Sequence, residues 1–126
     1  IKEARVWRKR FGGGMRQAGI IAAAGLVALE ESPKRLQDDH ANSRRLAQGL
    51  AEIPGVSIAV ERVVTNIVIF DITGTGKTSA EICSRLKQNG ILAIGFGNAI
   101  RMVTHCDVSA AEIDTTLAAM SAVLSS

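Results

Sequence analysis

Apolar positions recur at helical spacing in several stretches of this chain and at alternating spacing between them. Ala4, Trp7 and Phe11 fall three and four residues apart among basic side chains, which predicts an amphipathic helix over residues 1–10. After Gly12-Gly13-Gly14, residues 17–30 are apolar on nearly every side, with Ala18, Gly19, Ala22, Ala23, Ala24, Gly25 and Ala28 among them. A helix of that kind is expected to be buried, its partners lying outside this chain or in a second subunit. Ser32-Pro33 offers an N-cap hydroxyl followed by proline at a first helical position. It predicts the start of a third helix, striped by Leu36, Leu46, Ala47 and Leu50 and ended by Pro54-Gly55.

From Val56 the period becomes alternating. Val56, Ile58 and Val60 predict one strand and Thr65 to Asp71 a second. A helix follows over about Ser79 to Asn89, where Thr78 and Glu81 have capping-box spacing and Gly90 is the stop. Ile91 to Ile94 and Ala99 to His105 read as strands joined through Gly95-Phe96-Gly97-Asn98, a hairpin. Ser109 and Glu112 repeat the capping box before a last helix with Ile113, Leu117, Met120 and Leu124 inward. The expected fold is α+β: a small, mostly antiparallel sheet of about four strands with helices on one face, preceded by N-terminal helices. The expected division is a helical segment, residues 1–53, and a small C-terminal α/β domain, residues 54–126.

Composition narrows the function classes. At 126 residues and 47% hydrophobic content the chain is expected to be globular. The net charge of +3 is local, since residues 1–16 hold six basic side chains against Glu3 and the rest of the chain is net negative. With Trp7, Phe11, Phe70 and Phe96 as its aromatics, it lacks the basic, aromatic face of a nucleic-acid binder. Cys83 and Cys106 stand apart, with no CxxC and no zinc-type His/Cys spacing, so no metal site and a reducing, cytoplasmic location are expected. The most apolar run, Ala18 to Leu29, is too short to span a membrane. The chain opens at Ile1 without methionine, and the expectation is a piece of a longer protein.

Three stretches carry candidate chemistry. A helix beginning at about Met15 or Arg16 would place free N–H groups and the Arg16 guanidinium beside the glycine triplet, an anion site. A flexible joint between two helices is the competing reading. Residues 74–78, Gly-Thr-Gly-Lys-Thr, imitate a phosphate-binding Walker loop. Asp71 stands where that motif needs glycine and would repel phosphate, so a surface turn into a capped helix is the better reading. On the strand from Ala99 to His105, Ile100, Met102 and Thr104 share one face and Arg101, Val103 and His105 the other. Arg101 then suits a bidentate grip on a carboxylate, or is a strand arginine in water. His105 is its partner or a surface residue, and His40 is a surface residue.

The segment WRKRFGGGMRQAGIIAAAGLVALEESPKRLQDDHANSRRLA, with TNIVIFDI at Thr65 to Ile72 and IRMVTHCDVS at Ile100 to Ser109, closely resembles the C-terminal part of threonine aldolases. That family uses pyridoxal phosphate on the aspartate-aminotransferase fold type and cleaves β-hydroxy-α-amino acids to glycine and an aldehyde. The resemblance implies that Arg101 binds the substrate α-carboxylate. It implies that Arg16, and with it Lys9, Gly13 and Gly14, lies near the cofactor phosphate or the active-site mouth. In the family the Schiff-base lysine, the histidine stacked on the cofactor and the aspartate at its pyridine nitrogen belong to an upstream large domain, on which the N-terminal helices pack. No catalytic residue is therefore expected in this chain, and alone it is expected to bind no pyridoxal phosphate and to be inactive. An amino-acid substrate in the full-length enzyme and a homo-oligomer are expected, with no nucleic acid and no membrane. The alternative is an inactive module that acts through self-association.

Overall fold

A computed structural model describes residues 1–125. Its helices are α1 (Lys2–Arg10), α2 (Gly19–Ala51), α3 (Ser79–Gln88) and α4 (Ala110–Ser125), and its strands β1 (Ile67–Asp71), β2 (Ile94–Phe96) and β3 (Ala99–Val103). Residues Ile1–Lys34 and Arg35–Ser126 form two compact units.

In the first unit, α1 forms as its pattern predicts, and its last turn is closed by glycine. Gly12 takes φ +81 and donates to Lys9 O at 3.2 Å, while Gly13 donates to Arg8 O at 2.8 Å. This pair of bonds is a Schellman motif, which satisfies carbonyls the helix would leave open. A Cβ on Gly13 would stand 2.7 Å from Arg8 Cγ, so the close approach requires glycine there. Trp7 stacks on Phe11 with ring centroids 5.7 Å apart, and the Arg10 guanidinium lies 5.1 Å from the Trp7 ring centre. The start of α2 lies at Gly19, later than the Met15 or Arg16 the sequence reading places it. Residues 12–18 belong to the end of α1 and the connection, with Gln17 at φ 50.

Ser32-Pro33 does not start a helix: α2 continues through it to Ala51. Proline removes one ladder donor, and the flanking Glu30, Glu31, Lys34, Arg35 and Leu36 are residues with good or fair helix propensity, so the two predicted helices become one.

The second unit holds the core. β1, β3 and β2 lie side by side in that order, antiparallel, with Ile69 opposite Arg101 and Arg101 opposite Ile94. Among the described residues the sheet has three strands rather than about four. The predicted strand at Val56 to Val60 reduces to one bridge, Ser57 with Asp71, after which a 3-10 turn takes residues 60–62. Val56, Ile58 and Val60 still pack against the core, so the alternation marked a buried face without a ladder to make it a strand. β2 begins at Ile94, three residues later than predicted, and the two-residue turn Gly97-Asn98 joins it to β3.

Val68, Phe70, Ile100 and Met102 project from one sheet face into a core shared with Leu46, Ala47 and Leu50 of α2, Ile82 and Leu86 of α3, and Ile113, Met120 and Val123 of α4. Gly95 sits on that face because Ser79 of α3 comes close: a Cβ there would stand 2.7 Å from Ser79 Cβ. Both predicted caps form. Glu81 N–H donates to Thr78 Oγ1 at 3.3 Å, and Ser109 and Glu112 exchange bonds at 2.7 and 3.3 Å. Gly90 (φ +77) ends α3 in a second Schellman motif, with Ile91 N–H on Leu86 O and Gly90 N–H on Lys87 O. The Walker-like stretch is a 3-10 turn, residues 73–75, in which the Asp71 carboxylate accepts the Thr73 N–H at 2.8 Å.

Candidate functional site

β3 is the central strand, so its two faces have different surroundings. Ile100, Met102 and Thr104 are buried, while Arg101, Val103 and His105 are exposed. On the open face the register places Arg101 between Ile69 of β1 and Ile94 of β2, which are 50% and 59% exposed. Ile67, Phe96 and Val103 continue this apolar surface. Among the described residues Arg101 has no ion pair. The other charge on the face is Asp71, opposite Ala99, and hydrogen bonds from the Thr73 side chain and backbone N–H hold its carboxyl below the usual range. Arg101 is thus a cation with free donors among apolar neighbours, suited to a planar anion.

The end of β3 is anchored. Thr104 donates its N–H to Asn66 O at 2.9 Å and its hydroxyl to Asp39 O at 2.7 Å, and Asn66 Nδ2 returns a bond to Thr104 O at 2.8 Å. Ser43 Oγ donates to Thr65 O at 2.7 Å. These bonds tie α2 to one end of the β1–β3 pair, where Ile67 lies opposite Val103, and help set the register on which the position of Arg101 depends.

The buried polar pair Asp39 and Ser43 is absent from the sequence reading, which names the apolar stripe of this helix. Asp39 is 5% exposed, with Arg35 at 3.9 Å. The signal was present: residues 39, 43, 46, 47 and 50 share one helical face. Arg45 instead grips Asp114 of α4 with two bonds, at 2.8 and 2.7 Å.

In the first unit Lys9, Gly13 and Gly14 lie together. The Lys9 Nζ and Cδ each pass 3.0 Å from where a Cβ on Gly14 would be, and the Gly13 N–H is taken by Arg8 O. Arg16 is exposed in the connection before α2. Arg101 belongs to the second unit.

Pyridoxal phosphate, implied by the resemblance, needs an amine at its aldehyde and donors at its phosphate. Two cavities of the second unit bear on this. One, of about 420 Å³, has Met102, His105, Glu112 and Ile113 in its wall, and the other, of about 350 Å³, has Arg35, Asp38, His105 and Cys106. Neither has a lysine in its lining and neither is lined by Arg101. Neither of these two cavities therefore fits that group.

Residues 1–74 match the beta-eliminating lyase family. The chain is 40% identical over 119 residues to low-specificity L-threonine aldolase 1 of Arabidopsis thaliana, across 93% of this chain and 33% of that protein. It is 40% identical over 109 residues to the low specificity L-threonine aldolase of Escherichia coli K12, across 86% of this chain and 31% of that protein. It thus spans about a third of the length of these relatives. The solved structure of MppP soaked with the product 2-ketoarginine shares the fold, with a TM-score of 0.61 at 15% identity over 79% of this chain and 30% of that one. With more than half of its length matched, this chain belongs to the beta-eliminating lyase family.

Proposed function

We propose that this chain is the carboxylate-recognising C-terminal part of a pyridoxal-phosphate-dependent lyase that cleaves threonine or allo-threonine to glycine and acetaldehyde. The observation that carries the reading is Arg101, an unpaired guanidinium on the central strand with apolar neighbours on both sides. A cation there holds the α-carboxylate of an amino acid in two parallel hydrogen bonds and fixes its orientation. The apolar surroundings lower the local dielectric and strengthen the grip. Arg16 and Lys9 add positive charge in the first unit, toward a phosphate or the mouth of the active site.

Bound pyridoxal phosphate would supply the electron sink for bond cleavage at Cα, and it is held through an enzyme lysine. Arginines orient and do not replace that sink, so the 126-residue chain alone is inactive. In the whole protein that carries this segment, Arg101→Ala lowers kcat/KM for threonine about 10- to 100-fold, the loss of a charge-assisted pair. Unchanged kcat/KM overturns the reading. For the chain alone, an absorbance band near the visible edge on adding pyridoxal phosphate, fixed by borohydride onto one lysine, contradicts the inactivity.

Self-association is a second reading, favoured by one observation. Ile20, Ile21, Leu26, Val27 and Leu29 of α2 are each at least 60% exposed, an apolar surface larger than a lone helix leaves in water. A dimer or larger assembly by light scattering supports it, and a monomer with folded N-terminal helices contradicts it.

A further inference from the structure

The turn between β3 and α4 brings three different metal-binding side chains together. His105, Cys106 and Asp107 are consecutive, and their donor atoms all lie within 4.8 Å of one another. His105 Nδ1 and Asp107 Oδ2 are 3.5 Å apart. A tetrahedral ion with ligands at about 2.0–2.3 Å spaces its donors by roughly 3.3–3.7 Å, so this pair already has the required bite. The sequence hides the site because adjacent ligands match none of the usual zinc spacings, and the turn supplies the convergence that spacing otherwise provides.

The backbone beneath is fixed from both sides. Val108 N–H donates to His105 O at 2.9 Å and closes the turn. Thr104 is anchored to Asn66 and Asp39 before it, and the Ser109–Glu112 capping box holds the residues after it. The three side chains are exposed, so they are free to rotate about their side-chain bonds to bring Sγ closer to the other two donors. The Asp107 N–H bond to His105 Nδ1, at 3.3 Å, would yield to an ion. His105 and Cys106 also line the cavity of about 350 Å³, where Asp38 adds negative charge and Arg35 is drawn to Asp39. Open space beside the donors leaves room for water as a fourth ligand.

We propose that His105 Nδ1, Cys106 Sγ and the Asp107 carboxylate bind one borderline divalent cation of the Zn²⁺ or Co²⁺ class, with water completing the shell. One nitrogen, one sulfur and one oxygen donor select such ions over Mg²⁺ and Ca²⁺, which take oxygen ligands. On binding, the Cys106 thiol gives its proton to solvent and the thiolate becomes the ligand.

Co²⁺ titration of the reduced chain tests this. The expected result is a thiolate-to-cobalt charge-transfer band that saturates at one ion per chain and is displaced by Zn²⁺. Cys106→Ser abolishes the band and Cys83→Ser retains it, while Asp107→Asn weakens Co²⁺ binding by roughly tenfold. As a measurement that needs no variant, equimolar Zn²⁺ slows alkylation of Cys106 and leaves Cys83 unaffected, as read by peptide mass. No band in the wild-type chain, a band that survives Cys106→Ser, saturation at half an ion per chain, or unprotected Cys106 overturns the proposal.

Discussion

The two faces of β3 are made from alternate residues of the same five, yet they answer to different demands. The inner face, Ile100 and Met102, is buried with Phe70 and Val68 of β1, and these four positions are apolar and filled. The outer face is also apolar, at Ile67, Ile69, Ile94, Phe96 and Val103, but these side chains stay partly exposed and an arginine stands at its centre. Hydrophobicity alone would not tell the two apart. Burial separates the face that holds the fold together from the face available for binding, and the lone cation says what kind of group it receives.

Substitutions on the two faces sharpen this contrast. Phe70→Ala opens a cavity in the inner face and costs about 3–5 kcal/mol in urea unfolding. Ile69→Ala, one residue along on the outer face, costs under about 1 kcal/mol, because half of its side chain is already in water. Equal losses would mean that the outer face is packed as well. Thr104→Val keeps the shape of the inner face but leaves Asp39 O without the Thr104 hydroxyl. It is expected to cost about 1–3 kcal/mol, and the hydrogen exchange of β3 amides reads it.

The smallest effect is at the cap of α4. Hydrogen bonds from the Ser109 backbone and side chain hold the Glu112 carboxyl below its ordinary 4.5. Its folded value is depressed, so its contribution is fully present above 4.5 and is lost as pH falls through the lowered value. Helical circular dichroism should decline slightly in that acid range in the wild type. Glu112→Gln, which cannot ionise, should flatten that part of the profile.

Periodicity and cap spacing made the faces of β3, the stripe of α4, the Thr78 cap and the Ser109–Glu112 capping box legible, because each depends on residues close in sequence. What escaped depends on partners. Gly12 and Gly13 read as the flank of an anion site or as a flexible joint and prove to close α1, since the bonds that assign them run back to Arg8 and Lys9. Ser32-Pro33 has every local mark of a start, and the helix runs through it because flanking propensity outweighs one lost donor. Val56 to Val60 alternate without becoming a strand, for want of a ladder partner beyond Ser57. Of the candidate site, the exposure of Arg101 could be read from alternation, but the apolar pair beside it follows from a register that no local pattern contains.

The most direct measurement compares, in the whole protein, a β-hydroxy-α-amino acid with its carboxamide, using wild type and Arg101→Ala. The account predicts that the wild type prefers the carboxylate by at least about tenfold in kcat/KM and that Arg101→Ala erases the preference by losing activity only on the acid. A preference that persists undiminished in Arg101→Ala would contradict the assignment of the outer face of β3 to carboxylate recognition.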